Sequence, residues 1–180
     1  MQKGVVLIIA MIMLIIVSLL AVTSMRNSAS TEVLAGNVRT TELATQAAEI
    51  ALRHCESSVV ELMAVAAGGT STGYTTTMTT ENILPTSIPA NWQSISTWDS
   101  ASTRTFVLPS SLVGNTTTYK RPPECMIESL PVIAAGSTTV SSTSSFVITA
   151  RGFGPEVAAD ANRARPTGSE VWLQSHIELQ

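Results

Sequence analysis

Cysteine and histidine are the side chains of this chain that most readily do chemistry, and the 180 residues include only two of each. Nucleophilic catalysis needs a nucleophile, a base and a group that orients the base, all within hydrogen-bond reach. His54 adjoins Cys55, but consecutive residues of a helix point in different directions. His176 lies on a predicted strand, and the sequence singles out no serine as its partner. We therefore predict no catalytic residues and no enzymatic activity.

The composition also argues against a metal site and a nucleic-acid partner. Neither the two histidines nor the two cysteines have the spacing of zinc ligands. Asp160 and Asn162 could suggest a calcium loop, but their spacing does not match an EF-hand. With 10 Lys and Arg and a net charge of −3, the chain has no broad basic surface for a phosphate backbone. We expect no metal, no other cofactor and no nucleic acid.

An apolar segment near the N-terminus explains the positive mean hydropathy of a chain in which Ser and Thr supply 46 residues. Ser18 is the only polar residue within 5–22, and Arg26 is the first charge after Lys3. As a helix, residues 5–25 would be roughly 31 Å long, which is about the hydrocarbon thickness of a bilayer. The segment is longer than a secretory signal core and lacks a small-x-small cleavage site before Arg26. Lys3 on the short flank favours a cytoplasmic N-terminus and export of the rest.

The helical pattern continues beyond this segment. Residues 24–63 contain no proline, and Gly36 is their only glycine. Apolar or small residues recur on one side at helical spacing: Val33, Leu34, Val38, Ala44, Ala47, Ala48, Ala51, Leu52, Cys55, Val59, Leu62 and Met63. We predict one helix of nearly sixty residues, from about Val5 to about Met63, whose amphipathic outer half packs on a globular domain of its own chain.

The last third of the chain alternates apolar and polar residues with period two, in residues 124–130, 145–151 and 171–179. This pattern predicts an antiparallel sheet with one covered face, and the outer half of the helix is the available cover. The predicted fold class is therefore α+β, with one long N-terminal helix packed on an antiparallel β-sheet.

Two other segments are predicted to be irregular. Residues 68–118 are rich in Thr, Ser and Gly, which favours loops and short strands, with Trp92, Trp98 and Phe106 as anchors into the core. Residues 152–169 contain two prolines and are predicted to form a solvated loop between the last two strands.

Several strings of residues, in this order, resemble the minor pilins of the PilX group (PilX/GspK-like) among type IV prepilins. The strings are Gly4-Val5-Val6-Leu7, Ser24-Met25-Arg26, Glu32-Val33-Leu34-Ala35-Gly36-Asn37, Gln46-Ala47-Ala48-Glu49-Ile50-Ala51-Leu52-Arg53, Phe146-Val147-Ile148-Thr149-Ala150-Arg151-Gly152 and Val171-Trp172-Leu173-Gln174-Ser175. The resemblance covers residues 4–55 and 122–177, and it is poor across the Ser/Thr-rich middle.

The resemblance implies processing at the N-terminus. Prepilin peptidase would cleave between Gly4 and Val5, and Val5 would then be N-methylated. Residues 1–4 would be the leader, 5–25 the transmembrane and assembly part of the helix, 26–63 its amphipathic continuation and 64–180 an exported β domain. The fifth mature residue would be Ile9, where major pilins carry a glutamate that is taken to neutralise the N-terminal amine of a neighbouring subunit.

The implied role is structural: a pilin-like, single-pass inner-membrane protein with a periplasmic domain that primes pilus assembly and then sits at the filament tip. Its partners would be prepilin peptidase and other minor pilins, with the major pilin and a PilY-type tip adhesin as further candidates. One alternative is a minor pseudopilin of type II secretion, although such proteins usually carry a large extra helical domain. Another is a membrane-anchored periplasmic enzyme.

The two cysteines are expected to form a disulfide, because an exported bacterial protein folds in an oxidising compartment. Cys55 lies on the apolar side of the helix and Cys125 on the first predicted strand of the sheet. The bond would therefore join the helix to the sheet. Two buried free thiols are the alternative.

Overall fold

The computed structural model describes residues 3–74, 77–100, 104–114, 118–133, 140–141, 144–160 and 162–179. Contacts within the chain divide it into two compact units, Met1–Arg39 and Thr40–Gln180. The first helix, α1, spans Lys3–Ala66 and contributes to both units. The predicted helix of residues 5–63 is thus present, with slightly wider limits.

The end of α1 is set by a glycine pair. Gly68 has a φ of +83°, a left-handed conformation that favours glycine. Its N–H donates to the Val65 carbonyl at 3.0 Å, and the Gly69 N–H donates to the Ala64 carbonyl at 2.9 Å. This pair of bonds is a Schellman motif, which satisfies the last carbonyls of the helix and turns the chain away from its axis.

The second unit contains, among its described residues, seven strands and two further short helices. The strands are β1 (Ile83–Leu84), β2 (Phe106–Val107), β3 (Glu124–Ser129), β4 (Val132–Ile133), β5 (Val140–Ser141), β6 (Ser145–Phe153) and β7 (Glu170–Glu178). The helices are α2 (Ile95–Trp98) and α3 (Ser110–Val113), and single 3-10 turns lie at Thr80–Asn82 and Asn91–Gln93. The three strands predicted from period-two alternation correspond to β3, β6 and β7.

The main sheet has the order β1-β3-β6-β7. β6 pairs antiparallel with β3 along six residues and with β7 along nine. β1 and β2 share the other edge of β3, where β2 is antiparallel but β1 is parallel. The sheet is therefore mixed rather than purely antiparallel, because the long connection between β1 and β3 is a crossover that can bring them into the same direction. β4 and β5 form a separate antiparallel pair.

The core lies between α1 and one face of this sheet. The helix contributes a stripe of small side chains, of which Ala44, Ala47, Ala48 and Ala51 are completely buried. The sheet contributes alternate residues of its strands, as the period-two pattern predicts: Cys125, Ile127, Phe146, Ile148 and Ala150. The predicted stripe extends further toward the N-terminus than the buried face does, because Val33, Leu34 and Val38 are exposed.

The opposite face of β3 and β6 is also largely buried, which the alternation did not predict, whereas on β7 that face stays exposed as predicted. β3 is buried at all six residues, and its second face carries the charged side chains of Glu124 and Glu128. The connection after β6 helps to cover it: Val157 is completely buried, and Arg163 forms an ion pair with Glu124. The predicted solvated loop over 152–169 is therefore present in part: residues 158–160, 164, 165, 167 and 168 are exposed, whereas Val157 is buried and Arg163 lies against Glu124.

The three predicted aromatic anchors take different positions. Trp98 of α2 is completely buried, and Phe106 of β2 is half-buried against the core on the helix side. Trp92 is half-buried. The described part of residues 68–118 otherwise consists of the predicted loops and short elements.

We predict that Gly152→Ala strongly destabilises the second unit. A Cβ at Gly152 would overlap the Ala44 carbonyl oxygen and the Ala48 backbone nitrogen and would lie 2.8 Å from the Ala48 Cα. Helix backbone cannot yield as a flexible side chain can, so the loss should be about 3 kcal/mol. Urea unfolding of the full chain in detergent, followed by fluorescence of Trp92, Trp98 and Trp172, measures it.

The matched control is Gly36→Ala, where a Cβ would meet no atom within 4 Å. This exposed helical position should tolerate alanine with no loss of stability. Equal unfolding midpoints for the two variants would contradict the close approach at Gly152.

Candidate functional site

The N-terminal part of α1 presents an apolar surface on all its sides. It belongs to the one helix among the described residues that is long and apolar enough to cross a membrane, and none of its most apolar window is buried. Its exposed large side chains include Val5, Leu7, Ile9, Leu14 and Leu20. A contiguous apolar surface of this size marks a membrane or protein contact. The segment fits a membrane anchor.

The polar side chains of Ser18 and Thr23 are satisfied within the helix. The Ser18 hydroxyl donates to the Leu14 carbonyl at 2.7 Å, and the Thr23 hydroxyl donates to the Leu20 carbonyl at 2.9 Å. Because hydrocarbon offers no hydrogen-bond partners, a spanning segment must satisfy its polar groups internally. These bonds allow residues 4–23 to lie in lipid without an orphaned hydroxyl.

The predicted processing residues lie at the start of this helix. Gly4 and Val5 are both helical, whereas Met1 and Gln2 of the predicted leader lie outside the described residues. A Cβ at Gly4 would meet no atom within 4 Å, so packing within the chain does not explain the glycine. Ile9 is 53% exposed. Position 9 therefore presents an apolar side chain to its surroundings, not the carboxylate that major pilins carry there.

The two cysteines are joined by a disulfide that connects α1 to β3. Cys55 and Cys125 are both completely buried, their Cα atoms are 6.7 Å apart and 70 positions separate them in the sequence. They lie in the core cluster between the helix and the sheet. Bonded and inaccessible sulfurs cannot act as nucleophiles, so this pair has a structural role.

His54 is an aromatic packing residue. Its Nδ1 lies 2.5 Å from the Tyr74 hydroxyl, and its ring stacks on Phe106 with centroids 5.8 Å apart. Burial lowers the pKa of His54 below the ordinary histidine value, which keeps the imidazole neutral near pH 7. With Cys55 in a disulfide, the neighbouring His54 and Cys55 form no thiol–imidazole pair.

His176 does have a serine partner, which sequence reasoning did not identify. Its Nε2 lies 2.6 Å from the Ser145 hydroxyl on the neighbouring strand. Ser145 is completely buried, so no substrate can reach its oxygen. The bond links β6 to β7. Among the described residues, no group of three His, Cys, Asp or Glu side chains could hold a metal ion.

The most elaborate polar cluster of the described residues is centred on Arg151, which is 1% exposed. Its Nε donates to Glu124 at 2.7 Å, and its Nη1 donates to Asp99 at 2.7 Å and to Glu170 at 3.3 Å. Its Nη2 donates to the Trp98 carbonyl at 3.2 Å. One side chain thus ties together β3, β6, β7 and the segment of α2.

Aromatic rings complete this cluster, which we call the arginine cluster. The guanidinium carbon of Arg151 lies between 5.1 and 5.4 Å from the ring centroids of Trp98, Phe153 and Trp172. Trp98 and Trp172 also meet edge to face, with centroids 4.8 Å apart. The period-two pattern placed Arg151 on the open face of the sheet. It is buried there because α2 and the loop after β6 cover that face.

Comparison with known proteins identifies the N-terminal segment. Residues 3–53 match the family model described as PilX N-terminal, which is consistent with a type IV pilin of that family. The matched region contains the whole apolar segment and all four buried alanines of α1. No curated protein and no solved structure matches the chain at a significant level.

We predict that Cys55→Ser lowers the free energy of unfolding of the second unit. Loss of a bond that closes a loop of about 70 residues should cost up to about 4 kcal/mol, because the unfolded chain regains conformational freedom. Urea unfolding by tryptophan fluorescence measures the loss, and Ser57→Ala, at an exposed position of α1, is the matched control. Two free thiols in non-reducing mass spectrometry of the wild-type protein would contradict this prediction.

Proposed function

We propose that this chain, whose residues 3–53 match the PilX N-terminal model, is a minor pilin of the type IV pilus. Two observations together carry the proposal: this match, and the uncharged helical segment 5–25 whose large apolar side chains are exposed. Before assembly, the helix anchors the protein in the inner membrane and the globular unit lies in the periplasm. The protein then enters the filament and has a structural rather than an enzymatic role.

Processing by prepilin peptidase fits the residues at the start of α1. Gly4 directly precedes the apolar segment, and its lack of a packing role within the chain is consistent with recognition by another protein. A peptidase that approaches the backbone closely is obstructed by any Cβ at that position. Cleavage between Gly4 and Val5 would leave Val5 as the N-terminal residue, ready for N-methylation.

Location at the filament tip is supported by position 9. An unpaired ammonium group in an apolar bundle is costly, so a shaft subunit needs a carboxylate to receive a neighbour's N-terminal amine. Ile9 has none to offer. A subunit that cannot accept an amine is best accommodated at the end of the filament, where it primes assembly together with other minor pilins.

As a minor pilin, the protein would bind other minor pilins. The major pilin and a PilY-type tip adhesin are further candidate partners. Exposed apolar side chains along residues 5–25 offer a continuous surface for packing against their helices.

A minor pseudopilin of type II secretion is the alternative role. Among the described residues after Ala66, no helix exceeds four residues, which does not favour the large helical insertion usual in that group. Deletion of the protein separates the two roles: loss of piliation and twitching supports the minor pilin, and loss of exoprotein secretion alone supports the pseudopilin.

We predict that Gly4→Val leaves the leader attached and keeps the protein out of filaments. The branched side chain blocks close approach of the peptidase without disturbing a packed neighbour, since nothing lies within 4 Å of that position. Mass measurement of the membrane-extracted protein tests this, with Lys3→Arg as a control that keeps the charge of the leader. Fully processed Gly4→Val protein would contradict the proposed cleavage site.

We also predict that Ile9→Glu impairs assembly rather than improving it. At the end of a filament the new carboxylate has no amine to pair with, and an unpaired charge in an apolar bundle is destabilising. Piliation counts by electron microscopy measure the effect, with Ile9→Leu as the control.

Antibody against the globular unit should label filament ends, and regular labelling along the shaft would overturn the tip location.

A further inference from the structure

β7 is an edge strand with an open side. It is the last strand of the main sheet and pairs along its length with β6, and no other described strand pairs with it. Alternate residues of a strand direct their backbone N–H and C=O groups to opposite sides. About half of the residues of β7 therefore present unpaired donors and acceptors on the open side, where a further strand can add.

This edge has few of the features that usually prevent strand addition, and its two carboxylates, Glu170 and Glu178, lie only at its ends. Edge strands are commonly protected by lysine, proline, a bulge or short length. β7 has nine residues and contains neither lysine nor proline, and its register with β6 runs without interruption from Glu170 to Glu178. The edge is therefore a regular template for another strand.

A groove of about 370 Å³ lies beside this strand, on the sheet face opposite α1. Thr149, Trp172 and Gln174 contribute from β6 and β7, and Trp92 and Ile95 contribute from the segment of α2. This volume suits one or two large apolar side chains and is too small for a helix. Because it adjoins the strand, a side chain of an added strand on the same face could enter it.

The groove is preformed. Gln174 donates to the Thr149 hydroxyl at 2.8 Å, which fixes its floor. Trp172 is held by Trp98 and by the arginine cluster, and Trp98 Nε1 donates to the Trp92 carbonyl at 3.0 Å. A site that is already ordered binds without the cost of ordering its side chains.

Arg165 supplies a charge in this groove. Its side chain is 65% exposed, and its ion pair with Asp99 is long, at 3.9 Å. Asp99 is already engaged by Arg151 at 2.7 Å. Arg165 is therefore available to an acidic side chain of a bound segment.

We propose that the open edge of β7 and the adjoining groove bind an extended segment of another protein by β-strand addition. Backbone hydrogen bonds to β7 would hold the segment, an apolar side chain would fill the groove, and an acidic side chain would pair with Arg165. Residues two apart on a strand share a face, so the segment carries the acidic and apolar residues at i and i+2. This inference rests on the second unit alone and does not depend on the proposed function.

A second copy of this chain is a poor occupant of the same edge. Two β7 strands paired antiparallel in full register place Glu170 of one copy opposite Glu178 of the other, at both ends. Like charges directly opposite destabilise a strand pair. The fully paired self-complex is therefore disfavoured, and we assign the edge to a segment of a different chain.

The test uses a phage library of linear nine-residue peptides, selected on the full chain in detergent micelles. Enriched peptides should share an acidic residue two positions from a large apolar one, and synthetic peptides of that consensus should bind in fluorescence anisotropy. Ile95→Lys places a charge in the groove wall and should weaken binding about tenfold or more, the effect of losing one buried anchor. Arg165→Glu should favour peptides in which the acidic residue is replaced by lysine.

The matched control is Leu112→Lys. Leu112 is 45% exposed on a four-residue helix and Ile95 is 47% exposed on another, but Leu112 does not line the groove. Its binding should equal that of the wild type. Near-ultraviolet circular dichroism confirms that each variant is folded.

Backbone methylation tests strand addition directly. Two versions of the consensus peptide are compared, one N-methylated at its odd-numbered residues and the other at its even-numbered residues. One version should lose binding and the other should bind unchanged, because only one of these two sets of N–H groups faces β7. Equal affinity of the two methylated peptides would show that the groove binds only a side chain, and it would overturn the proposal. It would equally be overturned if no peptide is enriched, or if the wild-type chain forms dimers in cross-linking that Ile95→Lys abolishes.

Discussion

The close contact between α1 and β6 is the constraint on which the second unit depends. Four buried alanines on the helix and a glycine on the strand bring the two backbones so near that no side chain fits between them at Gly152. Larger residues would push the sheet away and open the core, whose interior is packed as densely as an organic crystal. The disulfide between Cys55 and Cys125 adds a covalent link across the same interface.

Covering the second face of the sheet creates a different requirement. Once α2 and the loop after β6 remove that face from water, every charge on it needs a partner. Arg151 meets this need with three carboxylates, a carbonyl and three aromatic rings. Such a cluster adds little net stability compared with an apolar core, but it accepts only one arrangement of its partners. We infer that it fixes how α2, β3, β6 and β7 meet, and with them the walls of the groove beside β7.

One helix therefore serves two different surroundings. Residues 5–25 expose apolar side chains on every side, as a segment in lipid or among other apolar helices does. From Ala44 onward the same helix buries only one face, and Glu49 and Arg53 stay exposed on the others. The pattern changes from all-apolar to amphipathic within one uninterrupted helix. Its N-terminal part fits a membrane anchor, and its C-terminal part packs on the sheet of the second unit.

Local periodicity by itself determined the long helix, the strands β3, β6 and β7 and the face of each that packs on α1, because these follow from the spacing of neighbouring residues. Cys55 and Cys125 could be paired because the chain has no other cysteine. Only the tertiary structure decided the burial of Arg151, the parallel pairing of β1 and the serine partner of His176, since each joins residues far apart in the sequence. It also decided that the second face of the sheet is covered over β3 and β6. The Ser/Thr-rich middle has no periodicity to show which of its residues, such as Trp98, turn inward, and their positions are set by the charges and rings that they meet there.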